Sequence, residues 1–184
     1  MSSGRDGAAT CTVPRMAYRV HGMMQSYFTR KMTGYLDYKR IPWVFRRFPG
    51  VSPEAIAAGF PGGVPVVETP AGEFMWDSTS MIHHLEGRYA ERAVLPPDPV
   101  QRFLAYVVED AADEWIYRCA VGSRWHFPEN AAVGGFELAR DMTVKMPIAC
   151  DQAHVAVGEH VRNSLPPLGV TTETIKTGQG RSMR

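Results

Sequence analysis

The first half of the chain shows two different spacings of apolar residues. Residues Ala17–His21 alternate between apolar and polar side chains, which predicts a short strand. Segment 27–38 then has apolar residues at helical spacing, which predicts a helix that buries one face. The residues on that face are Phe28, Met32, Tyr35 and Leu36. Ser26 precedes this helix and is a suitable N-cap, because its hydroxyl can accept a hydrogen bond from the first turn.

The following segments predict a small mixed sheet. Trp43–Phe45 is a second strand candidate, and Ser52-Pro53-Glu54 is a typical helix start. Segments 64–68 and 73–76 predict a β-hairpin, because Thr69–Gly72 between them has turn chemistry. A helix capped by Asp77-Ser78 follows and extends to about Ala90. A β-α-β unit gives parallel neighbours and a hairpin adds antiparallel strands, so a mixed four-stranded sheet covered by helices is expected.

The second half of the chain predicts helices only. A proline-rich stretch at 95–99 separates the two halves. Three further helices are predicted at 100–121, 130–145 and 148–163, with Pro147 before the third. We therefore divide the chain into a flexible arm (1–15), an α/β domain (16–95), a helical domain (99–165) and a polar tail (166–184).

Composition and charge exclude several classes of function. The chain has 184 residues and a formal net charge of +1, so no broad attraction to nucleic acid or to a membrane surface is expected. Its apolar runs are much shorter than the roughly 20 residues of a membrane helix, and its start lacks the apolar core of a signal peptide. The cysteines Cys11, Cys119 and Cys150 form no CxxC or zinc spacing. A soluble cytoplasmic protein is expected, with Cys119 and Cys150 buried.

Three segments, in this order and spacing, resemble the glutathione S-transferase superfamily. They are Ser26–Met32 after the first strand, Gly63–Val67 before the third, and Trp76–Glu86 at the start of the last helix of the α/β half. The resemblance covers residues 16–95 well and residues 99–163 in general character. It implies an α/β plus all-α chain, with a thioredoxin-like N-terminal domain and a helical C-terminal domain shorter than is usual in the family.

The resemblance also implies roles for five residues of the α/β half. Ser26 would donate a hydrogen bond to the thiolate of glutathione, the co-substrate. A cis Val64–Pro65 peptide bond would leave the Val64 backbone free to pair with the cysteinyl part of glutathione. Asp77 and Ser78 would bind its γ-glutamyl end. Alternative interpretations are a plain helix cap for Ser26, a turn proline for Pro65 and an N-cap for Asp77.

Acidic residues cluster on the first helix of the second half. Spacings of three and four residues place Asp110, Asp113 and Glu114 on one face. Such acids could perform acid–base chemistry or bind a divalent metal, or they could form a solvated face that pairs with Arg118. No metal is expected. The resemblance places this helix beside the electrophile pocket, and Trp125 could line the same pocket.

The leading hypothesis is a homodimeric glutathione transferase that conjugates glutathione to a small apolar electrophile. Four features depart from the family pattern. Gly63 occupies a position where many members have lysine, and Tyr27 follows Ser26 where many have proline. Asp77 replaces the more usual glutamate, and the segment 23–25 before Ser26 is bulkier than the family's Gly/Pro/Ser-rich approach. The first alternative is therefore a non-catalytic interaction module of the same fold. A thiol–disulfide oxidoreductase is the second alternative, and serine instead of cysteine at position 26 argues against it.

Overall fold

The computed structural model describes residues 16–47, 53–143, 149–175 and 177. The predicted arm with Cys11, the predicted cap Ser52 and Pro147 lie outside the described residues. The strands are β1 (Tyr18–Gly22), β2 (Trp43–Arg47), β3 (Val66–Glu68) and β4 (Phe74–Trp76). The helices are α1 (Tyr27–Lys39), α2 (Pro53–Ala57), α3 (Ser78–Arg88), α4 (Pro99–Ala111), α5 (Tyr117–His126), α6 (Pro128–Met142) and α7 (Cys150–Asn163). A π-helical segment, Ala112–Ile116, joins α4 to α5, and a 3-10 turn, Pro166–Leu168, follows α7.

The four strands form one mixed sheet in the order β2-β1-β3-β4. Strand β1 runs parallel to β2, with Tyr18 opposite Trp43, and antiparallel to β3, with Val20 opposite Val67. Strands β3 and β4 form the predicted hairpin. This is the mixed four-stranded sheet that the element order predicts and the thioredoxin-like arrangement that the resemblance implies, followed by the predicted helical region.

Helices α1 and α3 supply the core on one face of the sheet. The buried cluster consists of Tyr18, Val20, Met32, Tyr35, Leu36, Ile41, Val67, Met81 and Leu85. It contains three of the four residues predicted for the inner face of α1. The fourth, Phe28, is only half-buried, because it lies at the end of α1 where two cavities meet.

A smaller apolar cluster lies in the helical half. It consists of Trp125, Ala131, Leu138, Leu165 and Val170. Helices α6 and α7 approach closely at Gly135, where an added Cβ would lie 2.8 Å from the carbonyl oxygen of His154. Met23, in the loop between β1 and α1, also packs against this cluster, so the loop contacts both halves of the chain.

Several predictions for the second half were wrong in detail. The helix predicted at 100–121 extends to His126 and contains the π-helical segment. Cys119 is exposed rather than buried, and Cys150 is half-buried. Phe103 and Trp115 are 63% and 74% exposed, so neither lies in the core of this chain. Helical periodicity identifies an apolar face, but it does not reveal whether another element covers that face.

None of the helices in the described ranges is long and apolar enough to cross a membrane.

Candidate functional site

Two cavities lie on either side of Phe28, between the α/β half and the helical half. We call the first the polar cavity; it has a volume of about 430 Å³. The second, the apolar cavity, has a volume of about 380 Å³. Phe28, Gly63 and Val64 line both cavities, so the two spaces meet along these residues.

One wall of the polar cavity comes from the loop before β3 and from the start of α3. The wall residues are Phe60, Pro61, Gly62, Gly63, Val64, Pro65, Trp76, Asp77, Ser78 and Thr79. The Val64–Pro65 peptide bond is cis. Ser78 is buried at the first position of α3, where backbone amides without helical partners favour an anion.

Asp77 caps α3 in an unusual backbone conformation. Its φ is 66°, which is uncommon for a residue other than glycine. Its carboxylate accepts a hydrogen bond from the Ser80 amide at 2.8 Å. Such conformations cost free energy and persist only where the surrounding structure holds them. They are found more often at ligand sites than elsewhere.

The opposite wall of the polar cavity carries four carboxylates from α4 and the π-helical segment: Glu109, Asp110, Asp113 and Glu114. Lys31 of α1 forms ion pairs with two of them, Glu109 and Asp113. The Thr79 hydroxyl donates a further hydrogen bond to Glu109 at 2.5 Å. Lys31 therefore ties the helical half to the α/β half at this wall.

These contacts keep Lys31 and Glu109 charged. Burial alone would lower the pKa of Lys31, but hydrogen bonds to Asp113 and Glu109 outweigh it and raise that pKa. Burial alone would raise the pKa of Glu109, but hydrogen bonds from Lys31 and Thr79 hold it below its ordinary value. Glu109 is therefore unsuited to exchange protons near neutral pH. The geometry instead favours the ion-pair interpretation of the acidic cluster for Asp113, with Lys31 as the partner. Glu114 lies 4.0 Å from Arg118.

The apolar cavity lies next to Ser26. Its walls include Met23, Tyr27, Tyr117, Val121, Trp125, Leu138, Val161 and Leu168. The rings of Tyr27, Phe28 and Tyr117 pack against one another, with centroids 5.0–5.8 Å apart. Ser26 accepts a hydrogen bond from the Thr29 amide at 3.3 Å, so it caps α1 as predicted. A hydroxyl that accepts one hydrogen bond still carries its own proton, and capping therefore leaves Ser26 able to donate.

The structure distributes the predicted site residues over both cavities. Val64 lines both cavities. The polar cavity also contains Pro65, Asp77, Ser78, Asp110, Asp113 and Glu114. The apolar cavity also contains Ser26 and Trp125. Trp125 therefore does not lie with the acidic residues beside which it was expected.

Sequence reasoning missed three residues of the site: Phe28, Lys31 and Tyr117. Phe28 fits the helical period of the core, and nothing local distinguishes it from a core residue. Two other hydroxyls near Ser26 in the sequence, those of Tyr18 and Thr29, lie outside both cavities. Tyr18 is in the core, 3.2 Å from the Tyr89 hydroxyl, and burial raises its pKa to about 12. Thr29 is fully buried against Gly22.

Comparison with known proteins supports one family for the N-terminal half. Residues 20–93 match the family described as glutathione S-transferase, N-terminal domain. Comparison with curated proteins gives no significant match.

The fold is also similar to solved structures at low sequence identity. Ure2p in complex with S-hexylglutathione has a TM-score of 0.50 and 10% identity, over 87% of this chain and 89% of that one. The tau class glutathione S-transferase of mango, Mangifera indica, has a TM-score of 0.49 and 14% identity, over 68% of this chain. A glutathione S-transferase of Methylobacterium radiotolerans in complex with glutathione sulfonate has a TM-score of 0.44 and 21% identity, over 83% of this chain. The alignments span only 59% of the mango protein and 63% of the bacterial one.

The family match covers the sheet, the cis-proline loop and the start of α3, which together form one wall of the polar cavity. Within residues 20–93, the chain is therefore similar to the N-terminal domain of glutathione S-transferases.

Proposed function

We propose that this protein is a glutathione transferase that binds glutathione in the polar cavity and conjugates it to an apolar electrophile in the apolar cavity. The observation that carries this proposal is the junction of the two cavities at Phe28, Gly63 and Val64, with Ser26 on the apolar side. A thiol bound at Val64 would face an apolar space across a short distance. This arrangement brings a nucleophile and an electrophile together, which is a large part of what catalysis requires.

Glutathione would lie along the wall formed by Val64, Pro65, Asp77 and Ser78. The buried Ser78, with the free amides at the start of α3, suits the α-carboxylate of the γ-glutamyl end. The Asp77 carboxylate suits the ammonium of the same end. The backbone of Val64 would pair with the cysteinyl residue, as an added strand pairs with a sheet edge.

Ser26 would activate the thiol. The thiolate is the reactive form, and a free thiol near neutral pH is mostly protonated. A hydroxyl that donates a hydrogen bond at the N-terminus of α1 stabilises the thiolate directly, and the helix dipole adds to the effect. Ser26 would then lower the thiol pKa without itself being consumed. Since serine cannot form a disulfide, the oxidoreductase alternative has no nucleophilic sulfur at this position.

The electrophile would be small and apolar. Tyr27, Tyr117 and Trp125 give the apolar cavity an aromatic lining. Of the acidic residues predicted to line the electrophile pocket, Asp110 and Glu114 would face the glutathione instead.

A specific observation favours the non-catalytic interaction module as second candidate. The polar cavity has Gly63 where the family resemblance leads one to expect lysine, and four carboxylates on the opposite wall. Lys31 offsets only part of this negative charge. Glutathione itself is an anion near neutral pH, so this wall would weaken its binding.

The protein would act in the cytoplasm as a homodimer. Helix α4 exposes an apolar face, with Val100, Phe103, Leu104 and Val107 each 48–66% exposed. Members of the family commonly pair the N-terminal domain of one subunit with the helices of the other, so we propose a second copy of this chain as the occupant of that face. Analytical ultracentrifugation of Phe103→Asp should show a monomer where the unaltered protein shows a dimer; a monomeric unaltered protein would contradict the assignment.

Isothermal titration calorimetry with glutathione tests the binding site. Ser78→Ala should weaken binding by about tenfold, because a hydrogen bond to a charged group contributes roughly 1.5 kcal/mol. The matched control is Ser80→Ala, an exposed serine on the same helix turn, which should bind like the unaltered protein. Failure of the folded, unaltered protein to bind millimolar glutathione would exclude the transferase and favour the interaction module.

Ser26→Asp tests activation of the thiol. Aspartate caps a helix as well as serine does but cannot donate a hydrogen bond when ionised, so stability should be retained. The pKa of the thiol of bound glutathione should rise toward the value in free solution. The ultraviolet absorbance of the thiolate measures it. A thiol pKa that stays low in Ser26→Asp would show that Ser26 is only a helix cap.

A further inference from the structure

The loop that carries Ser26 is held by the helical half of the chain. We call residues 23–26, between β1 and α1, the Ser26 loop. The Met24 amide donates a hydrogen bond to Oδ2 of Asp141, near the end of α6, at 3.3 Å. The Gln25 carbonyl oxygen accepts from the Arg124 guanidinium of α5, and the Gln25 side-chain amide donates to Glu137 of α6 at 3.0 Å.

Asp141 differs from the other two anchors because it is buried. It is 2% exposed, whereas the Glu137 side chain is 35% exposed and also pairs with Arg140. Arg124 is exposed. Hydrogen bonds at exposed sites compete with water and contribute little, while a buried carboxylate without its partners carries a large desolvation cost.

The second oxygen of Asp141 faces the sheet. Its Oδ1 lies 3.4 Å from Nε of Arg47, at the end of β2. The carboxylate therefore joins the edge of the sheet and the Ser26 loop through one rigid group. An apolar residue at this position of α6 would pack without such a cost, so stability alone does not account for a buried charge here.

We propose that Asp141 is a positioning residue that fixes the Ser26 hydroxyl relative to the bound thiol through the Met24 amide. This inference rests on the proposed transferase function. Ser26 follows Met24 by two residues, and its own amide donates to the Met23 carbonyl at 2.9 Å, so the turn moves as a unit. Displacement of a reacting group by about 1 Å costs on the order of 100-fold in rate.

Three substitutions separate positioning from simple stabilisation. Asp141→Ala removes both contacts, Asp141→Asn keeps an oxygen that can accept from Met24, and Arg47→Met removes only the ion pair. In the complex with glutathione, Asp141→Ala should raise the thiol pKa and lower kcat/KM by at least about tenfold, with the glutathione Kd changed less than about twofold. Asp141→Asn and Arg47→Met should retain most of the activity and a thiol pKa close to that of the unaltered protein.

A second measurement needs no ligand. Amide hydrogen exchange at Met24 should be at least about tenfold faster in Asp141→Ala than in the unaltered protein, relative to amides in α3, because its hydrogen-bond acceptor is gone. Asp141→Asn should keep the Met24 amide protected, and Glu137→Gln, which alters a partly exposed anchor, should not speed exchange at Met24. If Asp141→Ala does not fold, Asp141→Ser serves instead, since its side chain is too short to reach the loop.

The two measurements separate failure of this inference from failure of the proposed function. Lack of glutathione binding by the unaltered protein would remove the proposed function, and the positioning role would fall with it whatever the exchange rates. Normal binding with an unchanged thiol pKa in Asp141→Ala, and a loss of thermal stability only, would overturn the positioning role while the transferase stands. Unchanged exchange at Met24 would overturn it in either case.

Discussion

Asp113 and Lys31 form an ion pair across the boundary between the helical half and the α/β half of the chain. Both side chains are mostly buried, with 13% and 17% of their surface exposed. The sequence pattern indicated Asp113 as a candidate acid of the electrophile pocket. In the structure its carboxylate instead pairs with the Lys31 ammonium of α1. Its role in the structure is to hold two elements together at one wall of the polar cavity.

Replacing Asp113 should therefore destabilise the fold. We expect Asp113→Asn to lower the free energy of unfolding by about 1–3 kcal/mol, because a charged hydrogen-bond partner of Lys31 is lost in a partly buried site. Urea denaturation measures this change. The matched control is Asp110→Asn, an exposed acid of the same cluster, which should change stability by less than about 0.5 kcal/mol. Equal losses in the two variants would contradict the assignment.

Two glycines should respond to alanine in opposite directions. The Cβ of Gly135→Ala would meet the His154 carbonyl oxygen at 2.8 Å, and a backbone atom cannot rotate away, so α6 and α7 must separate. We expect a loss of about 1–3 kcal/mol. Gly34 lies exposed within α1, with nothing within 4 Å of its added Cβ, so Gly34→Ala should stabilise by about 0.5–1 kcal/mol. Thermal unfolding followed by circular dichroism distinguishes them, and destabilisation by Gly34→Ala would contradict the open space around that position.

Glu86 should make stability depend on pH in the acid range. Burial alone would raise its pKa, but hydrogen bonds from Lys39, Tyr35 and the Val94 amide outweigh it and hold that pKa below its ordinary value. Because this pKa is lower in the folded state than in the unfolded state, ionised Glu86 stabilises the folded protein fully above the unfolded value of about 4.3. This stabilisation is lost as the pH falls through the folded pKa.

The variant Glu86→Gln isolates this contribution. At neutral pH we expect it to lose about 3 kcal/mol, because the buried Lys39 ammonium loses its charged partner. The difference from the unaltered protein should begin to shrink as the pH falls below the unfolded value of about 4.3, and it should be lost as the pH falls through the lower pKa of the folded Glu86. Denaturant titrations at a series of pH values measure it, with the exposed Glu91→Gln as control. A constant difference at all pH values would exclude the ionised carboxylate as its source.

The acidic wall of the polar cavity should limit affinity for glutathione. Neutralising Glu114 or Asp110 should tighten binding about two- to fivefold at low salt, because each removes a repulsive charge near an anionic ligand. The gain should vanish at high ionic strength, where exposed charges are screened. Calorimetry at two salt concentrations tests this, with Glu159→Gln on α7 as an exposed control outside the cavity. A gain that persists at high salt would point to a change of shape instead.

The order of elements could be predicted from the sequence because local chemistry controls it. Ser26 and Asp77 carry side-chain oxygens that satisfy amides only a few residues away, so both caps were visible as sequence signals. The turn at Thr69–Gly72 separates two apolar runs, and that is sufficient to indicate the hairpin. The boundaries of α1, β1 and α3 accordingly lie within one or two residues of those predicted.

Burial in the second half of the chain was less predictable than in the first. The same helical periodicity of apolar residues occurs whether or not another element packs on the apolar face. Phe103 and Trp115 sit at positions that a core helix would use, and the structure leaves both exposed. The π-helical segment Ala112–Ile116 carries no signal in the sequence pattern, because a single extra residue within a helix shifts the register without changing composition.

The cavities depend on contacts between residues far apart in the chain. Lys31 meets Asp113 at a separation of 82 residues, and Met24 meets Asp141 at a separation of 117. A pattern of neighbouring residues shows that these side chains are charged or polar, but it contains no information about which distant group each will meet. Only the folded structure shows that Asp113 pairs with Lys31. A buried charge is costly unless it is paired, so a partly buried carboxylate favours a position beside a cation.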